Sequence, residues 1–255
     1  MTAVFARQTL VRGQITMGQP MHSVELQRTF LDLTTPHVAD ACMRLGIPVR
    51  CAPAGMRSLW NAAHMVGRVL PARHYGSVDV FLEAIGRAMP GDVLVVDNAN
   101  REDEACVGDL IALEASRADL SGIVIWGLHR DTADLHVIRL PVFSMGALPV
   151  GPQRLDEQGA EALVSARCGN HVVDARDVVL ADADGVLFIP LERAAEIAGV
   201  AAGIRDTERK QAARMRLGTT LREQTRFDAF LTARQADARL TFRQHLRTVG
   251  GEIEE

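Results

Sequence analysis

Hydrophobic positions in the first half of the chain change spacing repeatedly, and each change predicts an element. Thr35 to Gly46 opens with a capping threonine, places Pro36 at the first helical position and ends on a glycine, the signature of a helix with both ends marked. Val66 to Pro71 reads as a short strand. Val78 to Met89 returns to helical spacing, with Val78, Phe81, Leu82 and Ile85 sharing a face. After the Pro90-Gly91 turn, Asp92-Val-Leu-Val-Val-Asp97 is a continuous apolar run bounded by acids, the pattern of a strand covered on both faces. Val107 to Arg117 is helical again, Ser121-Gly122 breaks it, and Ile123-Val-Ile-Trp126 is a second buried strand. Thr132 to Ile138 fits a short helix and Pro141-Val-Phe143 a further strand.

Such alternation of strand and helix predicts an α/β core. The second half has a different texture. Val172-Val173, Val178-Val-Leu180 and Val186-Leu-Phe-Ile189 are separated by acidic turns and predict a small β-rich section. Asp182-Ala-Asp184-Gly185 resembles half of a calcium loop but lacks the downstream bidentate glutamate, so it reads as a hairpin turn. From Leu191 onward the chain reads as helical. The organisation predicted is an N-terminal arm over 1–29, one α/β domain over 30–217 and a helical C-terminal extension over 218–255.

Composition narrows the chemistry. With 255 residues, 47% of them hydrophobic and 24% charged, the chain has enough apolar mass for a sizeable core and is too apolar for disorder. A net charge of -4 disfavours a globally basic nucleic-acid binder. The C-terminal region is locally basic, with eleven Arg or Lys against five Asp or Glu from Arg205 to Arg247, and reads as a solvated or subunit-contacting face. No apolar run approaches the roughly 20 residues of a membrane helix, and Met1 to Met21 lacks a signal-peptide core. Cys42, Cys51, Cys106 and Cys168 form no CxxC pair, as expected of reduced thiols in a cytoplasmic protein. Lys210 is the chain's single lysine and sits in a charged stretch, which excludes Schiff-base or pyridoxal-phosphate chemistry on a buried lysine.

The segment from Gly108 to Asp131 is the most informative. Gly108 precedes a helix, so the amides of Leu110 and Ile111 point outward without helical partners and suit a carboxylate or phosphate. The following strand ends at Gly127, and His129, Arg130 and Asp131 leave its C-terminal edge, where α/β sheets bind ligands. Arg130 offers a fork for a carboxylate, and Asp131 suits a magnesium ion that keeps most of its waters. A local ion pair in a surface loop is the plainer reading of the same dipeptide. His129 fits an acid, a base or a ligand, and equally a surface histidine without a role. The histidines form no HxH or HExxH pattern, which argues against zinc.

Taken in order, these motifs resemble the signature of the RraA-like family, which includes divalent-metal-dependent 4-hydroxy-4-methyl-2-oxoglutarate aldolases and regulators of ribonuclease E activity. The matching residues are Gly108, Leu110, Ile111 and Ala112, then Ser121-Gly122-Ile123-Val124, then Gly127 and Arg130-Asp131. Thr35 to Leu45, Pro90 to Asp97, Leu140 to Phe143 and Ala181 to Pro190 resemble further family segments, so the likeness spans about residues 30 to 215. Trp126 and His129 stand where the family more often has an acid and a hydrophobic residue.

The resemblance implies a compact α/β/β sandwich of the swivelling-domain type, assembled as a homotrimer or homohexamer with sites between subunits. It implies a Mg2+ (or Mn2+) held by Asp131, and a 2-oxo acid substrate held by Arg130 and the amides after Gly108, at Leu110 and Ile111; His129, a departure from the family pattern in the same loop, is added as a substrate-binding candidate on its position alone. Asp109 and a glutamate from a neighbouring subunit, best matched by Glu208, would complete the catalytic set with Arg130. The activity implied is a lyase that cleaves a 4-hydroxy-2-oxo acid to pyruvate, with possible oxaloacetate decarboxylation. The alternatives are a related metal-dependent enzyme for another carboxylate, or a non-catalytic regulator that binds an RNA-processing partner. No nucleic acid or membrane is implied.

Overall fold

The computed structural model describes residues 21–60 and 63–249. Helices α1 (Ser23–Phe30) and α2 (Thr35–Arg44) come first, followed by the two-residue strands β1 (Arg50–Cys51) and β2 (Arg57–Ser58). The alternating region runs β3 (Met65–Arg73), α3 (Asp79–Ile85), β4 (Val93–Asp97), β5 (Ala105–Val107), α4 (Asp109–Arg117), β6 (Gly122–Trp126), β7 (Leu128–His129), α5 (Thr132–Ile138) and β8 (Val142–Ser144). Two hairpins follow, β9 (Ser165–Cys168) with β10 (His171–Asp174) and β11 (Asp177–Asp182) with β12 (Gly185–Pro190). The chain then becomes helical through α6 (Ala194–Arg216), α7 (Leu221–Gln224), α8 (Phe227–Ala236) and α9 (Phe242–Val249).

The main sheet has eight strands in the order β1-β12-β11-β3-β4-β6-β8-β2. Its centre, β3-β4-β6-β8, is parallel, and its flanks are antiparallel. Strand β3 serves both halves by changing partner along its length. Met65 to Arg68 pair with β11, and Val69 to Arg73 pair with β4. Pro71 therefore lies beyond the reach of β11, where its missing N–H breaks no ladder.

Why the strands read as unbroken apolar runs is clear from their two faces. In β4, Leu94 and Val96 face one core cluster with α3, α4 and α5, while Val93 and Val95 face the β9–β10 hairpin. Ile123 and Ile125 of β6 face the same helices, while Val124 faces the hairpin. In β11 and β12, Val178, Leu180, Leu187 and Ile189 meet α1, α2 and α6 instead, and Val179, Ala181, Val186 and Phe188 meet the hairpin side. Helices therefore cover one face of the sheet and the hairpin the other. Each buried aliphatic side chain contributes roughly 1.5–3 kcal/mol by leaving water.

Several expectations shift in detail. The cap of α2 is Thr34, which shares a capping box with His37, rather than Thr35. Thr35 is displaced into the helix because Asp182, at the end of β11, takes both its N–H at 2.6 Å and its hydroxyl at 2.7 Å. Asp182-Ala-Asp-Gly185 is indeed the β11–β12 turn, and its first acid anchors α2 from outside. In α3 the buried face is Val80, Phe81, Ala84 and Ile85, whereas Val78 and Leu82 are exposed. The part of the predicted arm that is described forms α1, whose Leu26 and Phe30 are fully buried, so the domain starts before residue 30. The rest of that arm lies outside the described residues.

Asp92, the acid that opens β4, is wholly buried and fully partnered. It accepts from Ser23 Oγ, from Met89 N and from Arg68 through two guanidinium nitrogens. All four cysteines are free thiols, and burial pushes Cys168 up to about 12. Lys210 is exposed on α6. The C-terminal helices gather Phe227, Phe230, Phe242 and His245 into an aromatic cluster of their own. No described helix is long and apolar enough to cross a membrane.

Candidate active site at the sheet edge

Strands β3, β4 and β6 end side by side, at Arg73, Asp97 and Trp126. Gly127 follows β6 with φ +155, and a Cβ there would stand 2.9 Å from the Cβ of Asn98. Glycine is required for the chain to turn over the β4 end. Strand β7 then pairs in parallel with β5, and the N–H of Arg130 donates to Val107 O at 2.9 Å. These short pairings bring two distant segments together: Gly108, which follows β5, and Arg130-Asp131, which follows β7.

Gly108 caps α4 in an extended conformation, and Asp109 occupies the first turn. The first intrahelical donor is Ala112 N, so the N–H groups of Asp109, Leu110 and Ile111 have no partner within the helix. Asp131 faces this end. A Cβ on Gly108 would lie 2.2 Å from Asp131 Oδ2 and 3.2 Å from Arg130 Cγ. Asp131 itself is left-handed, with φ 59 and ψ 39, and caps α5. Arg130 Nε lies 3.3 Å from Asp131 Oδ2, with the two side chains 48% and 34% exposed. Arg130 Nη1 also lies 2.7 Å from where a Cβ on Gly151 would stand. Two glycines thus leave the room that the aspartate and the arginine fill. The local ion pair expected on the plainer reading is present, and it sits at a helix N-terminus with its carboxylate open to solvent on one side.

His129 is placed differently from its expected role beside the substrate. It is buried, with Nδ1 at 2.7 Å from Ser144 Oγ and Nε2 at 3.0 Å from Thr132 Oγ1. Burial holds its imidazole below the usual histidine range. Both ring nitrogens are thus occupied by the chain itself, and the ring ties the start of α5 to β8. Leu110 is exposed beside the helix end, and Ile111 is buried under it.

Glu208 is not brought to this edge within one chain. It stands on α6, which packs with α2, and its carboxylate pairs with His37 Nε2 at 3.1 Å. Among the described residues, no three His, Cys, Asp or Glu side chains gather to hold a metal. A divalent ion at this edge would have Asp131 as its protein ligand, and water and substrate oxygens for the rest. That sparse, all-oxygen set fits Mg2+ or Mn2+ and does not fit zinc.

A neighbouring set of polar residues carries no signature in the sequence motifs. His74, Asn98, Glu104 and Arg154 converge just beyond the ends of β3 and β4. His74 Nδ1 lies 2.9 Å from Asn98 Oδ1, and Arg154 Nη2 donates to Glu104 Oε1 at 3.0 Å and to Asn98 Oδ1 at 3.3 Å. Burial lowers the affinity of His74 for a proton more than Glu104 raises it. The one local signal for this set is the charged run Arg101-Glu-Asp-Glu104, which stands between Asn100 and the start of β5.

Comparison with known proteins places this geometry in context. Residues 35–188 match the family model described as "RraA-like: Aldolase/RraA". A Vibrio vulnificus protein named "Putative 4-hydroxy-4-methyl-2-oxoglutarate aldolase" is 26% identical over 134 residues, covering 52% of this chain and 82% of that protein. A crystal structure of an uncharacterized Pseudomonas syringae protein superposes with a TM-score of 0.70 at 23% identity, covering 81% of this chain and 98% of the other, and shows the shared fold. Streptomyces coelicolor RraAS2, described as an unusual member of the RNase ES inhibitor RraA protein family, gives a TM-score of 0.63 at 25% identity, covering 75% and 96%. With the motif order, the mixed α/β sheet and the family match in agreement, the chain belongs to the RraA-like family.

Proposed function

We propose that the protein is a divalent-metal-dependent carbon–carbon lyase that cleaves a 4-hydroxy-2-oxo acid to pyruvate, with oxaloacetate decarboxylation as an attendant activity. One observation carries the reading: Asp131, Arg130 and the N-terminus of α4 meet at Gly108, where even a methyl group would collide with the carboxylate. A purely structural ion pair has no need of that clearance. Family membership and the name of the Vibrio relative support the same chemistry.

The substrate carboxylate takes the free N–H groups of Leu110 and Ile111 and the fork of Arg130. Asp131 would hold Mg2+ or Mn2+, which when bound supplies positive charge for the developing enolate. Cleavage breaks the C3–C4 bond. As the C4 hydroxyl proton passes to a water positioned by Asp109, C4 becomes the carbonyl of the second product, the C3–C4 pair forms the C2=C3 bond of an enolate with its charge on the 2-oxo oxygen, and the same water returns the proton to C3 to give pyruvate. Arg130 adds fixed positive charge beside that oxygen without needing to reorganise. Glu208 would act from a second copy of the chain in a trimer or hexamer; within one chain it stands on α6, paired with His37 of α2.

The test is pyruvate release from 4-hydroxy-4-methyl-2-oxoglutarate and from oxaloacetate, each with Mg2+ and with excess chelator, for the parent protein and Asp131→Ala. Metal-dependent release that is lost in the variant is the expected result. Metal binding without release from either substrate would overturn the assignment in favour of another reaction at the same edge. Neither metal binding nor release would leave a binding role on this fold.

A further inference from the structure

Asp131 holds a conformation that its place in the sequence does not demand. It occupies the N-cap position of α5. An aspartate there ordinarily has an extended backbone and turns its carboxylate back onto the N–H groups two and three residues on. Here the backbone is left-handed, with φ 59 and ψ 39, and the side chain makes no cap hydrogen bond. The N–H of Asp134, which such a cap would take, donates instead to Asp131 O at 3.0 Å. The carboxylate is thereby released toward Gly108 and Arg130 Nε. A left-handed residue other than glycine costs free energy, less for aspartate than for most, and persists where its surroundings hold it.

Two bonds flank this residue. On one side Arg130 N donates to Val107 O at 2.9 Å. On the other, Thr132 Oγ1 lies 3.0 Å from His129 Nε2. The ring of His129 therefore reaches past Arg130 and Asp131 and closes them into a short loop. Its other nitrogen is rooted in the sheet, with Nδ1 at 2.7 Å from Ser144 Oγ at the end of β8. The backbone of His129 is fixed as well, donating to Gly146 O at 3.0 Å and accepting from Leu148 N at 2.9 Å. Both hydroxyls can donate or accept, so the neutral ring keeps its two bonds in either tautomer. His129 is buried and Thr132 half-buried, where a hydrogen bond is stronger than in open water.

We propose that the His129–Thr132 bond, rooted on Ser144, is a staple that keeps Asp131 left-handed, with its carboxylate on Gly108 rather than folded back onto α5. His129 and Thr132 are then positioning residues for the metal ligand and do not touch substrate. The role of Asp131 toward a metal rests on the reading above, whereas the staple belongs to the metal-free chain. Without it the capped conformer gains population, and a divalent ion must first draw Asp131 out of that conformer.

The test compares the full chain with Thr132→Val, which removes the hydroxyl and keeps the shape, and with Thr132→Ser, which keeps the hydroxyl. In the metal-free protein, nuclear magnetic resonance reads the sign of φ at Asp131 from the intraresidue amide-to-α-proton Overhauser contact, which is strong when φ is positive. That contact is expected in the parent and in Thr132→Ser, and is expected to weaken in Thr132→Val. Mn2+ affinity by calorimetry should fall about tenfold in Thr132→Val, the result of a competent conformer reduced to about one tenth, and stay within about twofold of the parent in Thr132→Ser. Saturating Mn2+ draws the competent conformer back, so kcat for pyruvate release in Thr132→Val should recover to within about twofold of the parent. A hydroxyl that took part in the chemistry would leave kcat low. An unchanged Overhauser contact in Thr132→Val, a Thr132→Ser variant as weak as Thr132→Val, or a kcat that excess Mn2+ does not restore would each overturn the proposal. A parent that binds no Mn2+, or binds it without releasing pyruvate, would sink the metal or the lyase reading, and the Overhauser contact would still decide the staple.

Discussion

Gly108→Ala isolates the candidate site from the fold. The backbone at Gly108 is extended, so alanine is allowed there without strain. Its methyl group would fall 2.2 Å from Asp131 Oδ2. Ordinary contact for such atoms is about 3.5 Å, so the carboxylate must retreat by about 1 Å or more. The aspartate is partly exposed and can swing outward, which keeps the cost to folding small. Loss of a glycine cap costs about 1 kcal/mol, and the stiffer unfolded chain returns a good part of it, so Tm should stay within about 3 °C. Catalysis is less forgiving. A misplacement of about 1 Å costs on the order of a hundredfold, or about 2.7 kcal/mol of barrier. The assay is kcat/KM for pyruvate release with Mg2+, alongside thermal unfolding and Mn2+ affinity. A variant that retains kcat/KM within about threefold of the parent, with Mn2+ affinity unchanged, would refute the placement of the site at Gly108 and Asp131.

Two further outcomes follow from other parts of the chain. Burial depresses both His74 and His129, so each holds a proton less firmly in the fold than in the unfolded chain, where its ordinary value is 6.5. Unfolding then gains protons, so stability is complete above about pH 6.5 and falls as the pH drops below it. Tm measured between pH 7.5 and about 5.5 should decline, and His129→Gln should flatten that decline. Gly203 is exposed in the middle of α6, and a Cβ added there would meet nothing within 4 Å. Gly203→Ala should raise stability by about 0.5–1 kcal/mol in thermal unfolding and leave pyruvate release unaltered.

Local periodicity and short motifs carry the part of this protein that is legible in its sequence. Continuous apolar runs announce β4 and β6 because helices cover one face and a hairpin the other, so no polar residue is tolerated on either. The glycine before α4 and the Arg130-Asp131 pair after β6 are legible for a related reason: helix ends and strand ends carry fixed chemistry at fixed offsets. The C-terminal helices are legible from the absence of strand patterns after Leu191.

Which segments meet is a matter of tertiary structure alone. Strands β5 and β7, of three and two residues, are too short to leave a period, yet their pairing is what sets Asp131 against Gly108. The same pairing carries His129 inward, where Ser144 and Thr132 take its two nitrogens, a fate no local pattern distinguishes from exposure. Thr35 loses its place as cap to Thr34 because an aspartate 147 residues away claims it. His74, Asn98, Glu104 and Arg154 come from three separate loops, so their buried network has no linear signature. Local sequence fixes which face of an element is apolar, because that depends on neighbours a few residues apart. Contacts between loops depend on how whole strands are registered, and that is settled only when the sheet closes on its core.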